Sequence, residues 1–469
     1  MGGPRARSVV RRAVAVQDGS GSRHREAPGG LYNCGDKMAQ RAERLDLIKV
    51  SGFKSAIDPV ELRVADLTIL AGQNSAGKST MMQPLLMVKQ TIEKPYDPGG
   101  IAIDGPLVRF TSVDQFLSRK PGKQKAAGYE LCLGYGDQTF TFGYQRTDVR
   151  GISLVSQRID FPDSKVNWKL GQRLGESDPF VGELIRNLLK DGRQGMVIRD
   201  RAILVPGVSV RRNPVPDMSE MRFLGPTPAH RVIADSASMV HLPGLRGNPE
   251  RSYPVSAGGP RYPGSFNDYV ATILYHWKAT KDDRLELIGR NLRALGLTWR
   301  ATAERLDDTR VEIRVGRLPT AARGGARDLV NIADVGFGVS QTLPVLVALL
   351  AAEPGQLVFI EQPELHLHPK AQVALAALLV EAAKRGVRVI AETHSSLLIL
   401  ALQTLIARGD IDPEKISMNW FTRDAAGQTR VAEAKIGLDG SYGDWPVDFD
   451  SIELRLHDEY LTLVEARHG

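Results

Sequence analysis

The octapeptide Gly72-Gln73-Asn74-Ser75-Ala76-Gly77-Lys78-Ser79 constrains this chain more than any other feature. It fits G-x-x-x-x-G-K-[ST] at every fixed position. Its surroundings fit too. LTILAG (Leu67–Gly72) is a short apolar run stopped by glycine and reads as a buried strand. Lys78–Ile92 then reads as a helix with Met81, Met82, Leu85, Leu86 and Val88 on one face. Glycines at this spacing let backbone N–H groups turn inward as a nest for phosphate oxygens. The helix start adds its dipole. Gly72, Asn74, Ser75, Ala76, Gly77, Lys78, Ser79 and Thr80 are therefore the expected nucleotide-binding residues. Lys78 would reach the β- and γ-phosphates of ATP, and the Ser79 hydroxyl would ligate Mg²⁺.

A site of this kind needs an acid on a neighbouring strand, and the chain supplies one late. LVFIE (Leu357–Glu361) is an apolar run ending in a carboxylate, 283 residues beyond Lys78. Glu361 is the expected second metal ligand. Gln362-Pro363-Glu364 follows, then Leu365-His366-Leu367-His368-Pro369. A second apolar run, VRVIAETHS, ends at Thr393-His394-Ser395, and His394 is placed to reach the γ-phosphate and an attacking water. Glu364, Gln362 and His394 are the candidate catalytic residues.

Composition adds boundaries. At 469 residues the chain predicts two or three domains. Only two cysteines, Cys34 and Cys132, occur, which argues against a disulfide framework and fits a reducing, cytoplasmic setting. The longest apolar run, Thr342–Ala352, is too short to span a membrane. Net charge is +7, but residues 1–37 hold seven basic side chains against three acidic ones, so +4 of the excess lies there and +3 in all the rest. Residues 1–40 read as a disordered basic tail or as sequence upstream of a natural start at Met38; an Arg-rich transit segment is the other reading.

The pattern elsewhere predicts an α/β chain. Strands are expected in LDLIKVSGF and VELRV and, with a Gly136-Asp137 turn, at residues 126–160. Residues 161–255 read as irregular, Ser265–Leu297 as mostly helical, VEIRV as a strand, and Ser340–Ala352 and Pro369–Arg385 as helices. The expected division is a tail (1–40), the front of an ATPase head (41–125), a β subdomain with an inserted lobe (126–325), the rest of the head (326–410) and a small C-terminal domain (411–469). The fold class is a P-loop head with a mainly parallel central sheet, an antiparallel β subdomain and an inserted mixed lobe.

Taken together, these motifs resemble ABC-type ATPase heads of the OLD, RecF and SMC kind, and most closely bacterial AAA-family ATPases with an ExPExHLHP segment and a short C-terminal domain of unknown function. The resemblance covers residues 45–95 and 325–469, together with His241–Tyr253 and the tail segment Asp439–Asp450. It implies that Gly72–Thr80 is the Walker A motif, Glu361 the Walker B acid, Leu365–Pro369 the D-loop and His394 the switch histidine. Asp334–Gln341 stands at the signature motif, with Gly338, Ser340 and Gln341 meeting ATP held by another subunit. It also implies a head-to-tail homodimer with ATP between the heads, and work near DNA in repair or phage defence. A partner effector encoded nearby is the rival reading, in which ATP gates an interaction with little turnover.

Two departures from the family pattern matter. DVGFGVSQ is not LSGGQ, so a transporter subunit fits poorly. Gln362 stands where such heads usually keep the catalytic glutamate, and an amide cannot accept a proton as a carboxylate does. Either Glu364 takes that role or hydrolysis is slow. Among weaker signals, His366-x-His368 lacks further metal ligands, Gln115 could sense the metal, and Arg246 and Arg251 could meet phosphate or nucleic acid. The C-terminal acids Asp448, Asp450 and Glu453 are too few for a nuclease centre.

Overall fold

The apolar run Leu67–Gly72 forms strand β3, and every residue of it is buried. A strand with no polar face must be covered on both sides, which is the environment of a parallel sheet. The computed structural model describes residues 44–465, apart from 120–121, 123–124, 148–150, 176–177, 179–180, 182, 210–220, 224–226, 257–258, 260, 319, 321–327 and 444–457. The tail expected at residues 1–40 lies outside the described residues, as do Asp448, Asp450 and Glu453.

The central sheet has the order β11-β16-β17-β3-β18-β19. Its strands are β11 (Val240–Leu242), β16 (Leu357–Glu361), β17 (Arg388–Glu392), β3, β18 (Ile416–Arg423) and β19 (Thr429–Glu433). All neighbours run parallel except β18 and β19. Alternate residues feed different cores. Leu67, Ile69, Ala71, Val358, Ile360, Val389 and Ala391 join one cluster. Leu70, Leu357, Phe359 and Ile390 join the other.

The first cluster is closed by helices α4 (Val270–Ala279), α5 (Arg284–Ala294), α6 (Phe337–Ala351), α7 (Pro369–Lys384) and α8 (Ser396–Ala407). A four-stranded sheet lies with them, made of β12 (Tyr253–Pro254), β13 (Ala301–Arg305), β14 (Arg310–Gly316) and β15 (Leu329–Asn331). The second cluster holds α1 (Lys78–Ile92) and the antiparallel sheet β2-β1-β4-β5-β6-β7. That sheet comprises β1 (Leu45–Ser51), β2 (Val60–Arg63), β4 (Gly128–Tyr135), β5 (Gln138–Thr147), β6 (Gly151–Asp160) and β7 (Lys165–Lys169). Gly136, with φ 60°, opens the β4–β5 turn where the sequence placed it.

Residues 161–255 are more regular than their Pro and Gly content suggests. They carry β7, α2 (Glu183–Lys190), α3 (His230–Ser238), β11 and a three-stranded sheet of β8 (Gly195–Asp200), β9 (Ile203–Ser209) and β10 (Met221–Phe223). Pro206 and Gly207 sit inside β9 and still pair with Val197 and Met196; proline in a middle strand is unusual enough to hide it from pattern reading. Two expected boundaries also fall inside sheets. The cut at 125/126 separates β1 from its partner β4. The cut at 410/411 separates β18 from β3, beside which it lies in register. Pairing between distant segments, rather than chain order, groups these strands, and the described residues lie in one compact unit.

Candidate nucleotide site

The turn after β3 is built by local sterics. Gly72 has φ 138° and Gly77 φ 106°. A Cβ on Gly72 would come within 2.3 Å of the Phe421 carbonyl on β18, and one on Gly77 within 2.2 Å of Thr429 Oγ1 on β19. Both positions therefore exclude side chains twice, by conformation and by space. Thr429 Oγ1 donates to the Ala76 carbonyl at 2.9 Å and ties the loop to the sheet. Gln73, Asn74 and Ser75 form the exposed crest of the loop, with Ser75 at φ 61°. Gly77 caps α1 without a side-chain bond, which leaves first-turn N–H groups for an anion.

Lys78 is only 3% exposed. Its Nζ donates to the Gly72 and Gln73 carbonyls at 3.1 and 3.0 Å. Burial lowers its pKa, opposed by the Glu392 and Glu364 carboxylates. Thr80 is buried, and its N–H donates to Gly77 O.

The acids come from the adjoining strand tips. Glu361 ends β16 directly beside Glu392, which ends β17. Glu361 Oε1 lies 3.1 Å from His241 Nε2, and its Oε2 accepts from Gly244 N at 3.2 Å. His241 is itself held flat against Phe359, with ring centroids 5.4 Å apart. Although burial acts to raise the Glu361 carboxyl, the bond and charge of His241 and the Gly244 N–H outweigh it and hold the group below its ordinary value. Glu392 is placed differently. Ser79 Oγ donates to it, at 2.9 Å from Oε2 and 3.2 Å from Oε1. Burial, then the neighbouring Glu361 charge, push its pKa up to about 7.

Gln362 takes φ 45°, and its N–H donates to Glu392 O at 2.7 Å, so the chain turns sharply off β16. Glu364 Oε1 accepts from His394 N at 2.8 Å. Its Oε2 is buried without a hydrogen-bond partner. The His394 pKa is lowered by burial and by Lys78, against a bond to the Gly72 backbone. A neutral imidazole next to the glycine turn suits an acceptor or relay role. Together these groups can hold a triphosphate on backbone N–H groups and Lys78, offer Ser79 and carboxylates to a divalent cation, and place Glu364 and His394 near a water. The hydroxyl–carboxylate pair and the orphaned Glu364 oxygen suit a hard, oxygen-seeking ion such as Mg²⁺.

The signature candidates lie one element away. Helix α6 begins at Phe337, capped by Gly336, a turn earlier than the sequence suggested. Its apolar face starts only at Val339, which hides the first turn from a periodicity reading. A Cβ on Gly338 would meet Leu297 Cδ2 at 3.2 Å and the His366 carbonyl at 3.7 Å. The Ser340 hydroxyl donates to Phe337 O, and buried Gln341 donates through Nε2 to Gly247 O at 2.8 Å. The Gln341 side chain is thus engaged within its own subunit.

Several other candidates serve local structure. Gln115 closes a turn with Thr111 through both ends of its amide. His368 caps α7 by accepting from Lys370 N. Arg251 pairs with Asp334 at 2.7 Å. Arg246, by contrast, reaches the site from inside. Its guanidinium donates to the carbonyls of Glu361, Gln362 and Gln341. Glu392 and His241 escaped sequence reasoning. The signal for Glu392 was present: an acid closing a buried strand directly before Thr393-His394.

No curated protein matches this chain. The fold is similar to the crystal structure of an SMC head bound to the C-terminal winged-helix domain of ScpA, at 13% identity and TM-score 0.43, over 84% of this chain and 98% of that one. It is also similar to the SMC head domain from Thermotoga maritima, at 13% identity and TM-score 0.37, over 84% of this chain and the whole of that one. Residues 284–401, which carry α6, Glu361, Glu364, Glu392 and His394, match the family described as "AAA domain, putative AbiEii toxin, Type IV TA system".

Proposed function

We propose that this chain is an ATPase that binds Mg²⁺-ATP on the Gly72–Thr80 loop and hydrolyses it slowly. The observation that carries the reading is the meeting, at one edge of one sheet, of the phosphate turn after β3 with the acidic tips of β16 and β17. The AAA match over residues 284–401 supports it independently, because that span lies wholly outside the turn.

In the reaction, water attacks the γ-phosphorus, the bond to the bridging oxygen breaks, and ADP and phosphate result. First-turn N–H groups and Lys78 stabilise charge on the phosphate oxygens. Bound Mg²⁺ supplies further positive charge to the triphosphate. Glu364 accepts the water's proton, and His394 orients the water. Gln362 cannot act as a base, so the proton goes to Glu364 two residues further on, and turnover is slow. Two such heads would close on ATP, each offering the first turn of α6 to the other's nucleotide, in the service of DNA repair or phage defence. The same amide favours the rival reading, in which bound ATP gates a partner effector.

Lys78→Ala should lower affinity for a fluorescent ATP analogue by more than about tenfold, because the one buried cation inside the loop is removed. Glu364→Gln should leave that affinity intact and reduce phosphate release by at least about a hundredfold. Unchanged binding in the lysine variant would remove the phosphate assignment.

A further inference from the structure

We infer that Glu392, at the tip of β17, shares the magnesium with Ser79, and that Glu361 is a positioning residue behind it. The inference rests on the nucleotide reading above and narrows it to one side chain.

β17 lies between β3 and β16. Neighbouring strands are about 4.8 Å apart, so the tip of β16 is roughly twice as far from the phosphate turn as the tip of β17. Ser79 opens the helix that follows β3, and the acid within its reach is the one on the adjoining strand.

Distance agrees. Two adjacent ligands of an octahedral Mg²⁺, each about 2.0–2.1 Å from the metal, lie about 2.9 Å apart. Ser79 Oγ and Glu392 Oε2 are separated by 2.9 Å. The pair already has the spacing that a shared hard cation requires, and the hydrogen bond between them holds it.

Glu361 is engaged elsewhere. His241 takes one of its oxygens and Gly244 N the other, while Arg246 grips its main-chain carbonyl. Such an arrangement fixes a group that acts through its neighbours rather than on the ion itself. A fourth observation points to an ion from another direction. Glu364 is 9% exposed, and its Oε2 has no partner. Buried acceptors of this kind ordinarily have a donor, and a metal-bound water supplies one. Lys78 and Arg246 cannot by themselves balance Glu361, Glu364, Glu392 and an incoming triphosphate, whereas a divalent cation with its own waters can.

A change of ligand softness separates the two acids. Affinity of the full chain for a fluorescent ATP analogue is measured in EDTA, in Mg²⁺ and in Cd²⁺, for the wild type, Glu392→Cys and Glu361→Cys. Glu392→Cys should lose the Mg²⁺ gain in affinity by at least about tenfold and recover it in Cd²⁺, since thiolate prefers the softer ion. Glu361→Cys should keep its preference for Mg²⁺ over Cd²⁺. A Cd²⁺ switch in Glu361→Cys, in both variants, or in neither overturns the inference. If Glu392→Cys melts below the assay temperature, Glu392→Asp replaces it: loss of the Mg²⁺ gain supports the assignment and a full gain overturns it. A wild type that binds no nucleotide with or without metal defeats the ATPase reading itself, a result distinct from all of these.

Discussion

Lys78 and Glu392 share a difficulty: each is a charge taken almost entirely out of water. Lys78 meets it by donating to its own loop's carbonyls. Glu392, 6% exposed, meets it partly through Ser79 and partly by holding its proton to about pH 7. An unfolded glutamate loses that proton near pH 4.3. Between the two values the folded chain binds a proton that the unfolded chain has released, so stability falls as pH rises through this window. In EDTA and without nucleotide, the wild type should lose roughly 2–3 kcal/mol relative to Glu392→Gln between pH 5 and pH 8. Parallel thermal melts of the two proteins across that range check this; coincident pH profiles would refute it. The residue types of this site were legible in the sequence. The pairing of Ser79 with Glu392 was not, because it depends on which strand adjoins β3.

At the scale of elements, the segment after β11 joins parts of the site that the chain keeps far apart. Its Arg246 donates to the end of β16 and to the first turns of α6, and its Gly247 carbonyl receives Gln341. Burial brings the guanidinium pKa down to about 10, still charged near neutrality. Arg246→Ala would remove three hydrogen bonds to part-buried carbonyls, at a cost of about 1–3 kcal/mol. The melting temperature should fall by several degrees, and Arg246→Lys should restore little of it, because one ammonium cannot reproduce the fork. Differential scanning calorimetry measures both. His241–Tyr253 was visible as a segment in the sequence, but its pattern gave no hint that it latches onto a strand more than a hundred residues later.

At the scale of the whole molecule, the rim of the site carries apolar side chains that water does not favour. Phe337, at the start of α6, is 50% exposed beside His366, and Leu245 is 85% exposed one residue from Gly244. In the proposed sandwich both would be covered by the second head, in a two-fold interface. ATP added to Glu364→Gln should raise the mass seen by light scattering from 51.3 kDa to twice that value. Phe337→Asp, added to the Glu364→Gln variant, should keep the protein monomeric at the same ATP concentration. Doubling in the Phe337 variant would move the interface elsewhere. Among the described residues no helix is long and apolar enough to cross a membrane.

The sequence by itself determined the glycine turn at Gly72–Gly77, the strand before it, the helix after it and the acidic and histidine strand ends, because each is written in neighbouring residues through glycine freedom, apolar periodicity and side-chain chemistry. It also conveyed that these pieces belong to an α/β sheet. Tertiary structure alone decided the order of the strands, and hence which carboxylate faces Ser79, which one His241 holds, and that β18 and β19 extend the central sheet. Hydrogen bonding between strands is blind to distance along the chain, so no local pattern records it.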